Sequence, residues 1–171
     1  RLGTIANDAG ARHALTTRAV LEAAQSAVAS SDALKNISLL STDDIPVTWA
    51  DSWKPGPLSK TALLQYTSGS TSDPKGVEIS HGNLLANVAM ISECYRLDER
   101  TVGVIWLPPY HDMGLVGGIL EPVFRDCSCV LMSPQSFMQN PLRWLKAISR
   151  YRATISGAPD FAYESAARAY R

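Results

Sequence analysis

Short apolar runs recur along this chain with helix-length segments between them, and that alternation limits its architecture more than any other feature. The strand-type runs are Arg12–Thr17, Ile37–Leu40, Ala62–Thr67, Val77–Ser80, Thr101–Leu107, Ser128–Ser133 and Thr154–Ser156. Between them the pattern predicts helices over Ala19–Ser30, Gly82–Leu97 after a Ser80 cap, the stretch through Gly118–Pro122, and a helix opened by Asn140 and Pro141. Strands separated by helices need crossover connections, so the expected fold is α/β with a mostly parallel sheet. Ligands of such sheets sit beyond the carboxyl ends of the strands. Three loops are therefore candidate sites: those after Thr67, after Leu107 and after Ser156.

Composition narrows the classes. The 171 residues carry equal numbers of basic and acidic side chains, 16 of each, and no basic run. That removes the electrostatic footprint of a nucleic-acid binder. No window approaches 18 apolar residues, so no membrane span is expected. Cys94, Cys127 and Cys129 have no framework spacing, and residues 1–10 carry no apolar signal core, so a cytoplasmic protein with reduced thiols is expected. Cys127 and Cys129 read as members of a buried strand, since no second Cys/His pair follows to complete a metal site. The long connection Thr42–Lys60 contains three prolines and reads as surface.

The loop after Thr67 carries the strongest chemistry. Thr67-Ser68-Gly69-Ser70-Thr71-Ser72-Asp73-Pro74-Lys75-Gly76 packs five hydroxyls, two glycines and a lysine into ten residues. Glycines let consecutive N–H groups turn toward an anion, hydroxyls add donors, and the lysine adds charge, which suits a polyphosphate. It is not a Walker loop, because Pro74 stands where that pattern has its second glycine and Gly76 where it has Ser or Thr.

The run Tyr66-Thr67-Ser68-Gly69-Ser70-Thr71, with Pro74-Lys75-Gly76-Val77, resembles the phosphate-binding signature of the adenylate-forming superfamily. The segment Trp106-Leu107-Pro108-Pro109-Tyr110-His111-Asp112-Met113-Gly114 is similar to its counterpart in fatty acyl-AMP ligases, as are residues 80–85, 141–154 and 156–163. Ala158 and Asp160 stand where that pattern often has Gly and Asn. The resemblance implies that a fatty acid and ATP give acyl-adenylate and pyrophosphate with Mg²⁺ present. The acyl group then passes to the phosphopantetheine arm of an acyl carrier protein. It further implies that Thr67, Ser68, Gly69, Ser70, Thr71, Lys75 and Gly76 hold the phosphates, and that the Thr71 hydroxyl reaches the metal. Ala158, Pro159 and Phe161 would contribute to the nucleotide site, and His111 and Lys75 would be the catalytic residues.

Two readings of His111 beside Asp112 remain: an acid–base pair, or a histidine that orients substrate and stabilises charge. The second is favoured, because a carboxylate attacks already ionised and needs no general base. Asp112 is expected to shape its loop, His81 to sit at a helix start, and His13 in an ordinary strand. Trp144, Leu145 and Tyr151 are expected in the core, while Phe161 and Tyr163 are candidates to line the adenylate or acyl pocket. Residues 1–171 are expected to be part of the large N-terminal domain, with the ribose-binding aspartate, an acidic metal motif and the small domain lying elsewhere. Alone, the chain is not expected to turn over. Two further functions stay open: a fatty acyl-CoA ligase and a non-catalytic nucleotide- or acyl-binding module.

Overall fold

The computed structural model describes residues 2–29, 31, 34–56, 59–67 and 75–170, and the chain divides into two units, 1–81 and 82–171. In the first unit, α1 (Leu2–Asp8) precedes β1 (His13–Thr16), α2 (Arg18–Ala29) and β2 (Ser38–Ser41). The two strands pair in parallel, His13 opposite Ser38 and Thr16 opposite Ser41, with α2 as the crossover the spacing predicts. The proline-bearing connection holds more structure than expected: a 3₁₀ turn at Thr42–Asp44 and a single helical turn, α3 (Trp49–Ser52). Next come β3 (Thr61–Thr67) and β4 (Lys75–Ser80), an antiparallel pair in which Tyr66 faces Gly76 and Thr67 faces Lys75. Lys75 and Gly76 thus belong to a strand, not to the preceding loop.

In the second unit β5 (Val102–Ile105) is the central strand. It pairs in parallel with β6 (Ser128–Leu131) and, through the single bridge Gly103–Ile155, with the third expected strand. That third run makes one rung only. The helix α4 (His81–Tyr95) starts directly after Ser80 and stops at Arg96, whose φ of 54° is left-handed. Between β5 and β6 the chain forms one continuous helical run: α5 (Asp112–Leu115), a π turn (Val116–Leu120) and α6 (Glu121–Arg125). The helix therefore begins inside the expected loop Tyr110–Gly114 and runs past Pro122. Pro122 has no N–H to give a carbonyl four residues back, and the Glu121 N–H bonds Val116 O, five back, so the π turn absorbs the proline.

After β6 the sequence signals missed α7 (Pro134–Gln139), capped by Ser133 Oγ, which accepts from Ser136 N at 3.1 Å. Asn140 Oδ1 accepts from Leu142 N at 3.0 Å and opens α8 (Leu142–Tyr151), with Pro141 already helical. The last element is α9 (Asp160–Tyr170).

The core of this unit is aromatic. Trp106 stacks on Phe137 with ring centroids 3.9 Å apart, and Phe137 meets Trp144 edge-on at 6.0 Å. Val104, Ile105, Leu107 and Ala162 complete it. Trp144 is buried as expected, but Leu145 and Tyr151 are exposed. The inward stripe of α8 runs through Trp144, Ala147 and Ile148, set by the indole, which has the most apolar surface to bury. Among the described residues, no helix is long and apolar enough to cross a membrane.

Candidate functional site

The β3–β4 pair presents the first candidate loop. Thr67 and Lys75 face each other across the ladder, so the two ends of the loop start from adjacent backbone positions, and the Lys75 side chain is exposed. Ser68, Gly69, Ser70 and Thr71 lie outside the described residues, so the phosphate-binding and metal roles expected of them rest on the sequence. Gly76 has a structural reason as well as an expected ligand role. A Cβ there would stand 2.9 Å from Tyr66 Cζ, so the tyrosine ring covers the glycine across the strands. The Tyr66 hydroxyl donates to Asp8, and that hydrogen bond pushes the phenol above its ordinary pKa. His13 lies in β1 and His81 opens α4, the placements expected of them.

In the second unit, β5 delivers the chain to Pro108-Pro109-Tyr110-His111, a turn closed by His111 N donating to Pro108 O at 3.0 Å. Proline at the second turn position has the φ this turn needs. His111 is extended (φ −103°, ψ 139°) and caps α5. Three contacts fix the ring and its neighbour: His111 Nδ1 lies 2.7 Å from Asp112 Oδ1, and Met113 N lies 2.7 Å from that oxygen and 3.3 Å from Nδ1. One nitrogen cannot accept from Met113 and donate to Asp112 in the same protonation state. The shorter distances favour Nδ1–H donating to Asp112, with Asp112 also taking the Met113 N–H. Nε2 is then the ring atom left for a ligand. Both side chains are more than half exposed.

Gly114 locks this turn onto the helix. A Cβ there would lie 2.1 Å from Pro108 O and 2.8 Å from Leu107 O, both backbone atoms. The sequence reading placed Gly114 at the end of a loop; it lies instead in the first turn of a helix, where a glycine costs about 1 kcal/mol against alanine and so signals a close approach.

The third loop meets the second. A Cβ on Gly157 would sit 3.8 Å from Met113 Cε. Ala158 packs on the aromatic core, Pro159 O accepts from Ala162 N at 2.9 Å to open α9, and Phe161 is half exposed with its edge toward Trp106 at 6.0 Å. Tyr163 meets Trp144 edge-on at 5.3 Å. The structure thus brings His111, Met113, Gly157, Ala158, Pro159 and Phe161 to one end of β5.

Beside them lies a mainly apolar cavity of about 320 Å³, lined by Ile105, Leu107, Met113, Val116, Glu121 and Gly157 among others. Glu121 is almost fully buried and accepts a hydrogen bond from Ser92, which ties α6 to α4. Cys127 and Cys129 are free, half-buried thiols, both raised above the ordinary thiol pKa chiefly by burial; Cys129 lies in β6 and Cys127 just before it, in a strand that is less buried than expected. Among the described residues, no three His, Cys, Asp or Glu side chains are grouped to hold a metal ion.

The sequence profile described as AMP-binding enzyme matches residues 1–168. The chain belongs to the AMP-binding enzyme family. Within that family it is 53% identical over 107 residues to the medium-chain-fatty-acid–[acyl-carrier-protein] ligase TtuA of Teredinibacter turnerae, an overlap of 63% of this chain and 17% of that protein. It is 44% identical over 140 residues to the ligase JamA of Moorena producens, of the same description, covering 81% of this chain and 24% of JamA. The solved fatty acid AMP ligase of Legionella pneumophila superposes with a TM-score of 0.88 at 40% identity, over 99% of this chain and 29% of that one. The chain thus spans between about a sixth and a third of the length of these family members. The α/β fold with parallel strand pairing expected from the alternation is the fold of this family.

Proposed function

We propose that the protein carrying this chain activates a medium- or long-chain fatty acid with ATP, and that this chain contributes part of the large domain. One observation carries the reading. The turn that positions His111 and the Gly157–Pro159 segment come together at one end of β5, an apolar cavity runs along the strand from Thr101 to Leu107, and the family match covers residues 1–168.

In the proposed reaction a carboxylate oxygen of the fatty acid attacks the α-phosphorus of ATP. The bond from that phosphorus to the oxygen bridging to the β-phosphate breaks, and pyrophosphate leaves with the electron pair. The product is a mixed anhydride, acyl-AMP. Lys75 and the hydroxyls of 67–71 hold the departing phosphates and offset their charge. His111 presents Nε2 toward the reacting oxygens, its ring held by Asp112. Catalysis of this kind is positioning together with charge stabilisation. Where Mg²⁺ is bound, the Thr71 hydroxyl would be this chain's contribution to holding it, and the ion would add to the neutralisation of phosphate charge. Ala158, Pro159 and Phe161 contact the nucleotide. The acid's alkyl chain lies in the cavity, where apolar walls favour it by about 0.8 kcal/mol per buried methylene.

The phosphopantetheine thiol of an acyl carrier protein then attacks the acyl carbonyl, the bond from that carbon to the phosphate oxygen breaks, and AMP leaves as the thioester forms; an acyl carrier protein is the acceptor in the names of TtuA and JamA. The free thiols Cys94, Cys127 and Cys129 fit a reducing, cytoplasmic setting. The acceptor is tested with the full-length protein, ATP, Mg²⁺ and dodecanoic acid, offered either a carrier protein bearing a free phosphopantetheine thiol or coenzyme A. Acyl-carrier thioester is expected with little acyl-CoA. Efficient acyl-CoA formation without a carrier would make the protein a fatty acyl-CoA ligase instead.

A further inference from the structure

A carboxyl stands in the wall of the apolar cavity. Val116 and Glu121 line one side, Ile91 of α4 another, and the alternate residues Gly103, Ile105 and Leu107 the floor. In an α-helix the residue stacked over Val116 is four on, which is Leu120. Here the Glu121 N–H bonds Val116 O across the π turn, so Glu121 takes that place; it is 3% exposed, while Leu120 is half-buried. Pro122 accounts for the π turn but not for the carboxyl, because a leucine or methionine at 121 would fill the wall without burying a polar atom.

Only one oxygen of this carboxyl is used. Oε1 accepts from the Ser92 hydroxyl, itself 1% exposed, which ties the group to α4. Oε2 is buried with no hydrogen-bond partner among the described residues. A buried acceptor left unpaired forfeits its hydration with nothing in return, so the position calls for a donor. The terminal torsion of a glutamate is broad, and the carboxyl can turn its open oxygen toward a donor that enters the cavity. Two other hydroxyls of the cavity wall are engaged within the protein, Thr101 with Asp98 and Ser156 with Trp144 and Val104.

The direction of the chain places Glu121 far from the reacting end. Leu107, Met113 and Gly157 mark the end of the cavity near His111, and Thr101, Cys127 and Ser128 the end where β5 and β6 begin. The helical run returns from the first end toward the second, and Glu121 lies nine residues after Asp112, about 13 Å along it.

We propose that Glu121 selects an acid that carries a hydroxyl on the distal part of its chain, the hydroxyl donating to Oε2 while Ser92 keeps Oε1. This rests on the reading above, in which the cavity holds the acyl chain. A plain alkyl chain leaves Oε2 unpaired, and a hydroxyl close to the acid's carboxyl stays at the His111 end and gains nothing.

The test is pyrophosphate exchange by the full-length protein and its Glu121→Met variant with dodecanoic, 3-hydroxydodecanoic and 12-hydroxydodecanoic acids. Wild type is expected to favour the 12-hydroxy acid over dodecanoic acid about tenfold in kcat/KM, with no such gain for the 3-hydroxy acid. Glu121→Met is expected to bring the ratio to about one. A ratio of two acids on one preparation does not depend on how much of the variant folds, and the wild-type ratios decide the matter if it does not fold at all. A wild type that takes the 12-hydroxy acid no better than dodecanoic acid would overturn the proposal, as would an equal gain with the 3-hydroxy acid or a preference that survives in Glu121→Met. Exchange without preference leaves the functional reading standing, whereas no exchange with any of the three acids while ATP still binds would overturn that reading and this inference with it.

Discussion

Lys75→Ala in the full-length protein is expected to slow adenylate formation about 10²- to 10³-fold, the loss seen when one preorganised donor is taken from a developing negative charge. Lys75 is exposed at the start of β4, directly across from Thr67. Its removal leaves no cavity and no buried group unpaired, so stability should move by less than about 0.5 kcal/mol. Thr71→Ala is expected to act in the same direction on rate. The measurement pairs pyrophosphate exchange with urea unfolding. Wild-type exchange rates in both variants would remove the 67–76 segment from the phosphate site.

Gly114→Ala should do the opposite, damaging the fold before the chemistry. The new methyl would meet Pro108 O at 2.1 Å and Pro108 C at 2.7 Å, and neither atom can swing aside as a side chain would. Overpacking commonly costs 1–3 kcal/mol, and a collision with backbone on this scale should cost about 3 kcal/mol or more. Gly117, three residues on, is the control: a Cβ there meets nothing within 4 Å. Gly117→Ala should be neutral or stabilising by up to about 1 kcal/mol, since alanine suits a helix better than glycine. Urea midpoints of the two variants give the comparison. Similar midpoints would show that the Pro108 turn gives way and that His111 is less rigidly placed than the contacts indicate.

What could be read from the sequence divides along physical lines. The β1–α2–β2 crossover and the β5–β6 pair were legible from short apolar runs set helix-lengths apart, and β5, the one of these strands that is buried, reads as a continuous apolar run. The Asn140–Pro141 helix start was legible because capping chemistry is local. The Thr67–Gly76 and Leu107–Gly114 segments announced themselves through residue types that make little sense in a plain loop. Features set by contact between distant residues were hidden. Leu142, Leu145 and Ile148 suggest one stripe on α8, but packing against Phe137 and Tyr163 turns Trp144 inward and leaves Leu145 outside. The Thr154–Ser156 run looks like a strand, yet Trp144, twelve residues earlier, holds the Ser156 hydroxyl on Val104 O, where a further rung would form. The π turn at Val116–Leu120 follows from Pro122, whose effect on the preceding helix shows only once the helix is known to continue through it.

The central claim is that this chain belongs to an enzyme that joins a fatty acid to AMP. Radiolabelled pyrophosphate exchange into ATP by the full-length protein, with Mg²⁺ and a series of fatty acids, tests it most directly. The account predicts exchange that requires a medium- or long-chain fatty acid and falls to background when the acid is left out. Exchange that is indifferent to the acid, or absent with every acid while ATP still binds, would contradict it.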